Sequence, residues 1–318
     1  MSKRLIGQGQ PVYFIAEAGV NHNGDLALAH RLIDVAAAAK ADAVKFQTFR
    51  AEALVSPKAR KAEYQSASTG AGSQMEMLKA LELAEPAWKE LKAHCDEAGI
   101  AFLSTPFDEG SCDLLVEISV DAIKLGSGDL TNKGLIQHIS RTGLPLLLST
   151  GMGTRPEVSA AVSWFHKAFE AGSHQVAESG IGYADGGRLG LLHCVSSYPA
   201  PDEALNLRAI ETMAAFTRLS VGYSDHSVGI DALPIAVAAG AVMLEKHFTT
   251  DRTLPGPDHQ ASLEPEELAN AVQKVRRVEM LLGHGRKEPH PCEEELREVA
   301  RRSLTALRDI AAGVEIQA

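Results

Sequence analysis

The 318-residue chain is poor in aromatic residues, at 5%, and holds only four cysteines. Cys95, Cys112, Cys194 and Cys292 form no CxxC pair, which excludes the common zinc and redox spacings and reads as free thiols in a reducing compartment. No apolar run could cross a membrane. The longest, Pro234–Leu244, contains Gly240 and falls far short of about 18 residues. The opening MSKRLIGQGQP lacks the apolar stretch of a signal peptide. Positive charge is also scarce: 31 Lys and Arg against 41 Asp and Glu give a net charge of −10, without the basic footprint that nucleic acid demands. A small anion needs only two or three local cations and stays open. The expectation is a cytoplasmic protein that acts on small molecules, with neither nucleic acid nor membrane as partner. What the chain does have is 45% hydrophobic and 23% charged residues, enough for a large core and incompatible with general disorder.

Short apolar runs alternate with helical patterns along most of the chain. Strands are predicted at Val12–Glu17, Ala43–Thr48, Ala101–Thr105, Ala122–Leu125, Pro145–Thr150, Gly190–Val195, Ser220–Ser224 and Val242–Phe248. Between them lie helical stripes, such as Leu26, Ala29, Ile33 and Ala36, and Trp88, Leu91 and Cys95. A last helix, Pro265–Leu282, carries Leu268, Val272, Val275, Val278 and Leu282 on one face. Eight apolar strands, each followed by helix, imply parallel pairing buried on both sides, and eight units in about 280 residues is the count of an α/β (β/α)8 TIM barrel. A doubly wound sheet is the alternative, but no GxGxxG follows the first strand. Three segments break the rhythm: the polar connection 56–74, expected as a lid or subunit contact; the Gly/Ser-rich insertion 171–187; and a polar, Pro-containing stretch after Gly283.

Barrel chemistry sits at the C-terminal ends of the strands. Here all eight ends are polar: Glu17; Lys45 and Gln47; Ser104 and Thr105; Lys124 and Ser127; Ser149 and Thr150; His193 and Ser196; Ser224, Asp225 and His226; Glu245 and His247. Residues two apart share a strand face, so Lys45 pairs with Gln47, Ser224 with His226, and Glu245 with His247, while Lys246 points outward. If the shared faces turn inward, His226 and His247 come from neighbouring strands and can reach one divalent ion such as Mn²⁺ or Zn²⁺. With 12 histidines in the chain, two hydrogen-bonded core residues explain the spacing equally well. Lys45 and Lys124, with Thr105, Ser127 and Ser149, make an anion pocket, since buried ammonium groups need negative partners. The Gly126–Gly128 turn lets backbone approach an oxyanion closely.

The motifs AEAGVNHNG (16–24), VKFQTF (44–49), STPFD (104–108), KLGSGDLTN (124–132), LSTGM (148–152), LLHCVSSYPAP (191–201), GYSDHS (222–227), EKHFT (245–249) and PGPDHQASLEP (255–265) follow one another in an order that resembles the N-acetylneuraminate (sialic acid) synthase family, with its legionaminate, pseudaminate and spore-coat polysaccharide relatives. The resemblance covers about residues 11–285. It implies a (β/α)8 barrel followed by a small antifreeze-like (SAF) domain, and condensation of phosphoenolpyruvate with an N-acylated aminosugar such as N-acetylmannosamine, with release of phosphate. By the same resemblance His226 and His247 bind a divalent metal, Mn²⁺ first, with Mg²⁺ or Co²⁺ as substitutes. Lys45, Thr105, Lys124, Ser127, Ser149, Ser196 and Ser224 hold phosphoenolpyruvate. Glu17, Gln47, Tyr198 and Asp258 contact the sugar. Glu17, Asp129, Asp225 and Glu245 are the candidate catalytic carboxylates, Asp129 standing where some relatives have Glu.

The expected organisation is a barrel over 1–285, a linker over 286–302, and at 303–318 the opening of an incomplete antifreeze-like domain, whose arm in the family reaches a homodimer partner. Two other readings stay open: a barrel that binds phosphoenolpyruvate and sugar without turnover, and a phosphoenolpyruvate-dependent synthase with another aldose acceptor.

Overall fold

The computed structural model describes residues 4–56, 59, 61, 72–172 and 179–316. The middle of the expected lid, 62–71, and residues 173–178 of the expected insertion lie outside the described residues.

Eight parallel strands close into a barrel: β2 (Tyr13–Gly19), β3 (Ala43–Thr48), β4 (Ala101–Pro106), β5 (Ala122–Leu125), β6 (Leu146–Ser149), β8 (Leu189–Cys194), β9 (Ser220–Asp225) and β10 (Met243–His247), with β10 returning to β2. The period-two alternation of each strand sorts side chains into two cores. Outward residues such as Phe14, Val44, Phe102, Leu148 and Leu191 pack under the helices. Inward residues near the strand starts, including Tyr13, Ile15, Ala43, Leu103, Leu147, Leu192 and Met243, fill the lower lumen. Two residues further along, the inward positions become Glu17, Lys45, Thr105, Lys124, Ser149, Ser224 and Glu245, all buried. Apolar floor and polar mouth are thus consecutive turns of the same strand faces.

Local signals explain the helices that surround this barrel. Asp25 caps α1 (Leu26–Ala38) by accepting from the Ala27 and Leu28 amides, and the helix buries Leu28, Ala29, Leu32, Ile33 and Ala36. A short α2 (Ala51–Leu54) and α3 (Gln74–Leu81) follow β3, α3 opened by the reciprocal Ser73–Glu76 capping box. Helix α4 (Glu85–Ala98) buries Ala87, Trp88, Leu91 and Cys95 and stops at left-handed Gly99. Next come α5 (Glu109–Glu117), α6 (Lys133–Thr142), α7 (Arg155–Ala171), α8 (Ala209–Thr217) and α9 (Ala232–Ala238). The last barrel helix, α10 (Pro265–Leu282), keeps its expected bounds, although its buried stripe ends before Leu282, which is exposed.

The insertion 171–187 proves to contain a strand. Ile181–Tyr183 (β7) pairs in parallel with Arg4–Ile6 (β1), and Ile6, Ile181 and Tyr183 join the lower-lumen cluster. The Tyr183 hydroxyl donates to Leu146 O at 2.9 Å, and a side chain at Gly190 would collide with the Tyr183 ring. This two-stranded plug closes the barrel floor. Three-residue strands carry too little periodicity to be seen in sequence.

Residues 1–281 form one compact unit and 282–318 a second. In the second, Glu294–Ala300 (α11), within the expected linker 286–302, is helical, because the EELREVA run of good helix formers follows the capped turn Pro291–Glu293. Among its described residues no strand forms, and Leu304, Leu307 and Val314 are exposed. No helix among the described residues is long and apolar enough to cross a membrane.

Candidate active site

The strand ends converge on a cavity of about 410 Å³ at the barrel mouth. Its centre is a four-charge cluster. Lys45 Nζ lies 2.5 Å from Glu17 Oε2, donates to Thr105 Oγ1 at 3.1 Å, and stands 4.0 Å from Glu245 Oε2. Lys124 Nζ lies 3.0 Å from Glu245 Oε1, which also accepts from Ser224 Oγ at 2.8 Å. Gln47 Nε2 donates to Glu17 Oε1 at 3.3 Å. Burial opposes the charge on Lys124, but the carboxylates of Glu245 and Glu17 outweigh it and hold its pKa above the ordinary value. For Glu245 burial is likewise outweighed, and Lys124, Lys45 and the Ser224 hydroxyl pull the carboxyl down to about 2. For Glu17 burial prevails over Lys45 and, with the negative Glu245 nearby, raises the carboxyl to about 7. Asp258, at the rim, is raised to about 6 by burial.

Hydrogen-bonding capacity in this cavity is conspicuously unfilled. Among the described residues, Ser149 Oγ, Glu245 Oε2 and His247 Nδ1 are shielded from solvent and have no hydrogen-bond partner. Ser127 Oγ accepts from the Gly151 amide at 2.9 Å and lies 3.0 Å from Cys194 Sγ. Gly151 is required here: a Cβ would come within 2.4 Å of Ser196 Oγ and 2.8 Å of Ser127 Oγ. At β2 the pairing shifts between Glu17 and Gly19, and Gly19 takes φ 53°, the left-handed conformation that suits glycine.

His226 and His247 stand side by side, ring centroids 5.9 Å apart, and Tyr198 lies 4.2 Å from the His226 ring. His226 Nδ1 must donate to the Val195 carbonyl at 2.7 Å, so Nε2 carries the lone pair. Burial holds the pKa of both imidazoles below the ordinary value; His226 further depresses His247. Two neutral imidazoles, one with its tautomer fixed by a carbonyl and the other with an unpartnered nitrogen, fit a borderline divalent ion.

Tyr198, Ser196 and Asp258 line the same cavity as the charge cluster and the histidines. Two of the expected catalytic carboxylates do not. Asp225 follows Ser224 and therefore turns to the outer strand face. There Oδ1 accepts from Tyr223 Oη, Ser227 N and Ser227 Oγ, and Oδ2 from Lys246 Nζ at 2.8 Å. Lys246 turns outward as expected and is buried. Asp129 closes a turn of 3-10 helix and accepts from Asn132 Nδ2 at 3.0 Å, beside the cavity rather than on its wall.

Sequence reasoning missed the roof. Leu54 and Val55, at and just beyond the end of α2, and Met77, Leu78 and Leu81 of α3 line the cavity from either side of the connection 56–74 that was expected as a lid or subunit contact. The MEMLKAL run after Ser73 carried that signal. It also missed the scaffolding role of NHNG and PGPDH. Asn21 Nδ2 donates to Phe248 O and Ser262 Oγ, Asn23 Nδ2 to Pro255 O, and His259 Nδ1 lies 2.6 Å from Thr249 Oγ1. These bonds tie the loop after β2 to the loop that carries Asp258.

The sequence matches the NeuB family profile over residues 32–287. The chain belongs to the NeuB family. It is 45% identical to the N,N'-diacetyllegionaminic acid synthase of Legionella pneumophila, across 98% of this chain and 84% of that protein. It is 35% identical to the N-acetylneuraminate-9-phosphate synthase of Mus musculus, across 98% of this chain and 83% of that protein. A crystal structure of N-acetylneuraminic acid (sialic acid) synthetase from Leptospira borgpetersenii, in complex with citrate, superposes with a TM-score of 0.78 at 40% identity, covering 94% of this chain and 95% of that one. The NeuB-family chain is accordingly an enzyme, a synthase of the sialic-acid type.

Proposed function

We propose that this NeuB-family enzyme condenses phosphoenolpyruvate with an N-acylated aminosugar, N-acetylmannosamine or a relative, in a divalent-metal-dependent reaction that forms a nonulosonic acid and phosphate. The observation that carries this reading is the pair of buried ammonium groups, Lys45 and Lys124, facing hydrogen-bonding atoms without partners. Phosphate and carboxylate on one compact substrate would satisfy both features at once.

In this reading Lys45 and Lys124 bind the anionic groups, with Thr105, Ser127, Ser149, Ser196 and Ser224 completing the hydrogen bonds. Glu17, Gln47, Tyr198 and Asp258 orient the sugar, and the α2–α3 roof excludes bulk water. A divalent ion, Mn²⁺ first, held by His226 and His247 would supply Lewis-acid polarisation of the sugar's carbonyl. C3 of phosphoenolpyruvate bonds to that carbonyl carbon, and positive charge develops at C2. Water adds at C2 and gives a proton to Glu245, whose grip by the lysines is loosened once the substrate anion competes for them. Glu245 passes that proton on to the sugar oxygen left negative by the new C–C bond. The adduct expels phosphate by C–O cleavage, leaving the 2-keto acid. Asp225 and Asp129 take no part.

Incubation with phosphoenolpyruvate, Mn²⁺ and a panel of 2-acetamido sugars tests this. Phosphate release with a condensed product in the mass spectrum is the expected result; no release with any acceptor from folded protein would overturn it. His226→Ala and His247→Ala should each lose metal-dependent turnover while keeping the fold. We further read the molecule as a cytoplasmic homodimer in which 286–302 links the barrel to an antifreeze-like segment at 303–318. Comparing the dimer and the acceptor KM of the full chain with those of a chain ending at Gly285 tests that arrangement. Unchanged values would contradict it.

A further inference from the structure

Outside the barrel, α1 and α4 place two histidines face to face. His30 Nδ1 lies 2.6 Å from His94 Nδ1, with the ring centroids 4.8 Å apart. The opposite nitrogen of each ring is held by a carboxylate: His30 Nε2 lies 3.0 Å from Glu90 Oε1, and His94 Nε2 lies 3.0 Å from Asp34 Oδ1. The imidazoles are 26% and 23% exposed, so the contact is largely sheltered, while the carboxylates stand in solvent.

A carboxylate only accepts, so each Nε2 carries the ring hydrogen. Both Nδ1 atoms are then lone-pair acceptors pointing at one another. Two lone pairs cannot stay 2.6 Å apart unless a positive centre lies between them, which is either a shared proton or a metal ion. Carboxylate-anchored imidazoles with the second nitrogen free are the arrangement of metal-ligating histidines, because the anchor fixes the tautomer and raises the basicity of the other nitrogen. Paired imidazole nitrogens suit first-row divalent ions, and Glu90 and Asp34 supply charge compensation.

We propose that His30 and His94 form a binding site for a divalent first-row transition cation of the zinc class, coordinated through the two Nδ1 atoms and stapling α1 to α4. At a zinc–nitrogen distance of about 2.0–2.1 Å, tetrahedral ligands stand about 3.3 Å apart. The rings must therefore separate by roughly 0.7 Å, within reach of small rotations of partly exposed side chains. Water completes the coordination. The site is independent of the barrel mouth, and no step of the condensation depends on it. A second cluster, Cys112, Asp113 and His138, brings three potential ligand atoms within 4.8 Å of one another. It is the weaker competitor, because burial pushes the Cys112 thiol up to about 12 and a protonated thiol is a poor ligand.

The test uses Zn²⁺ alone, added to the full chain carrying His226→Ala and His247→Ala so that the mouth histidines contribute nothing. One equivalent of bound zinc and a concentration-dependent rise in Tm are expected. Adding His94→Gln or, separately, His30→Gln should abolish both effects, while adding His138→Asn should leave them intact. No zinc bound, or zinc that survives His94→Gln and His30→Gln, would overturn the proposal. So would nitrogen NMR that finds a shared Nδ1 proton undisturbed by Zn²⁺. If the triple variants fail to fold, His94→Gln in the otherwise native chain serves, read as loss of one of two zinc equivalents with phosphate release unchanged. Zinc uptake equal to that of the native chain contradicts the proposal there. Phosphate release is scored separately, so failure of the zinc site and failure of the synthase reading remain distinguishable.

Discussion

Two buried lysine–carboxylate networks lie on opposite faces of the barrel wall, the pair Asp225–Lys246 outside and the four-charge cluster of Glu17, Lys45, Lys124 and Glu245 inside, and they are built differently. On the outer face Asp225 and Lys246 satisfy one another and their surroundings: both Asp225 oxygens accept, and Lys246 Nζ donates again to Ser227 O at 2.6 Å. On the inner face Lys45, Lys124, Glu17 and Glu245 balance in charge, yet Glu245 Oε2, Ser149 Oγ and His247 Nδ1 remain without partners among the described residues. A closed network rigidifies the fold, whereas an open one carries desolvation costs that a bound ligand or ordered water offsets. Glu17 shows the cost directly, since its carboxyl is raised to about 7 even beside Lys45.

Substitutions on the two faces should therefore separate stability from turnover. The largest expected effect is Lys246→Met. It strands Asp225 in the outer layer and should destabilise the barrel by about 3–5 kcal/mol, read by denaturant unfolding, while molecules that remain folded keep their turnover. Lys124→Met, on the inner face, should lower kcat/KM by about 10²–10³-fold in a phosphate-release assay with a much smaller loss of Tm. A larger stability loss from Lys124→Met than from Lys246→Met would break the comparison.

Ser149→Ala is subtler. It deletes a buried hydroxyl without a partner, so Tm should hold or rise slightly, while phosphoenolpyruvate affinity falls by about tenfold. The smallest effect concerns pH. Burial raises Asp258 from 3.8 to about 6, so the folded state binds its proton more tightly than the unfolded chain does. Its contribution to stability is complete below pH 3.8 and is lost as pH rises through about 6. Asp258→Asn should accordingly match the parent Tm near pH 3.5 and exceed it by about 2 °C at pH 8. An excess at low pH instead would reverse the sign.

The barrel was legible because strand and helix periods are strong local signals. Ala43–Thr48 and Ala122–Leu125 coincide with the sequence expectation, and the other six strands differ by a few residues at most. The period-two rule also placed Lys45, Ser224 and Glu245 inside and Lys246 outside. It did not reveal that Lys246 and Asp225 meet, because an outward residue can be solvated or covered, and only the packed helices decide. Asp225 illustrates the limit: its place between Ser224 and His226 does not disclose that its carboxylate accepts from Lys246 on the outer strand face. The roof helix and the floor plug β1–β7 were missed for a different reason, since neither belongs to the repeating strand–helix rhythm and each gains its order from tertiary contact rather than from its own pattern.

The central claim is that the open inner network is the phosphoenolpyruvate site. The most direct measurement is the thermal shift produced by phosphoenolpyruvate alone, without metal or acceptor, in the parent and in Lys124→Met. A ligand that binds only the folded state must raise Tm with its free concentration, logarithmically above Kd. The account predicts a dose-dependent rise in the parent and none in Lys124→Met; equal shifts in both proteins, or no shift in either, would contradict it.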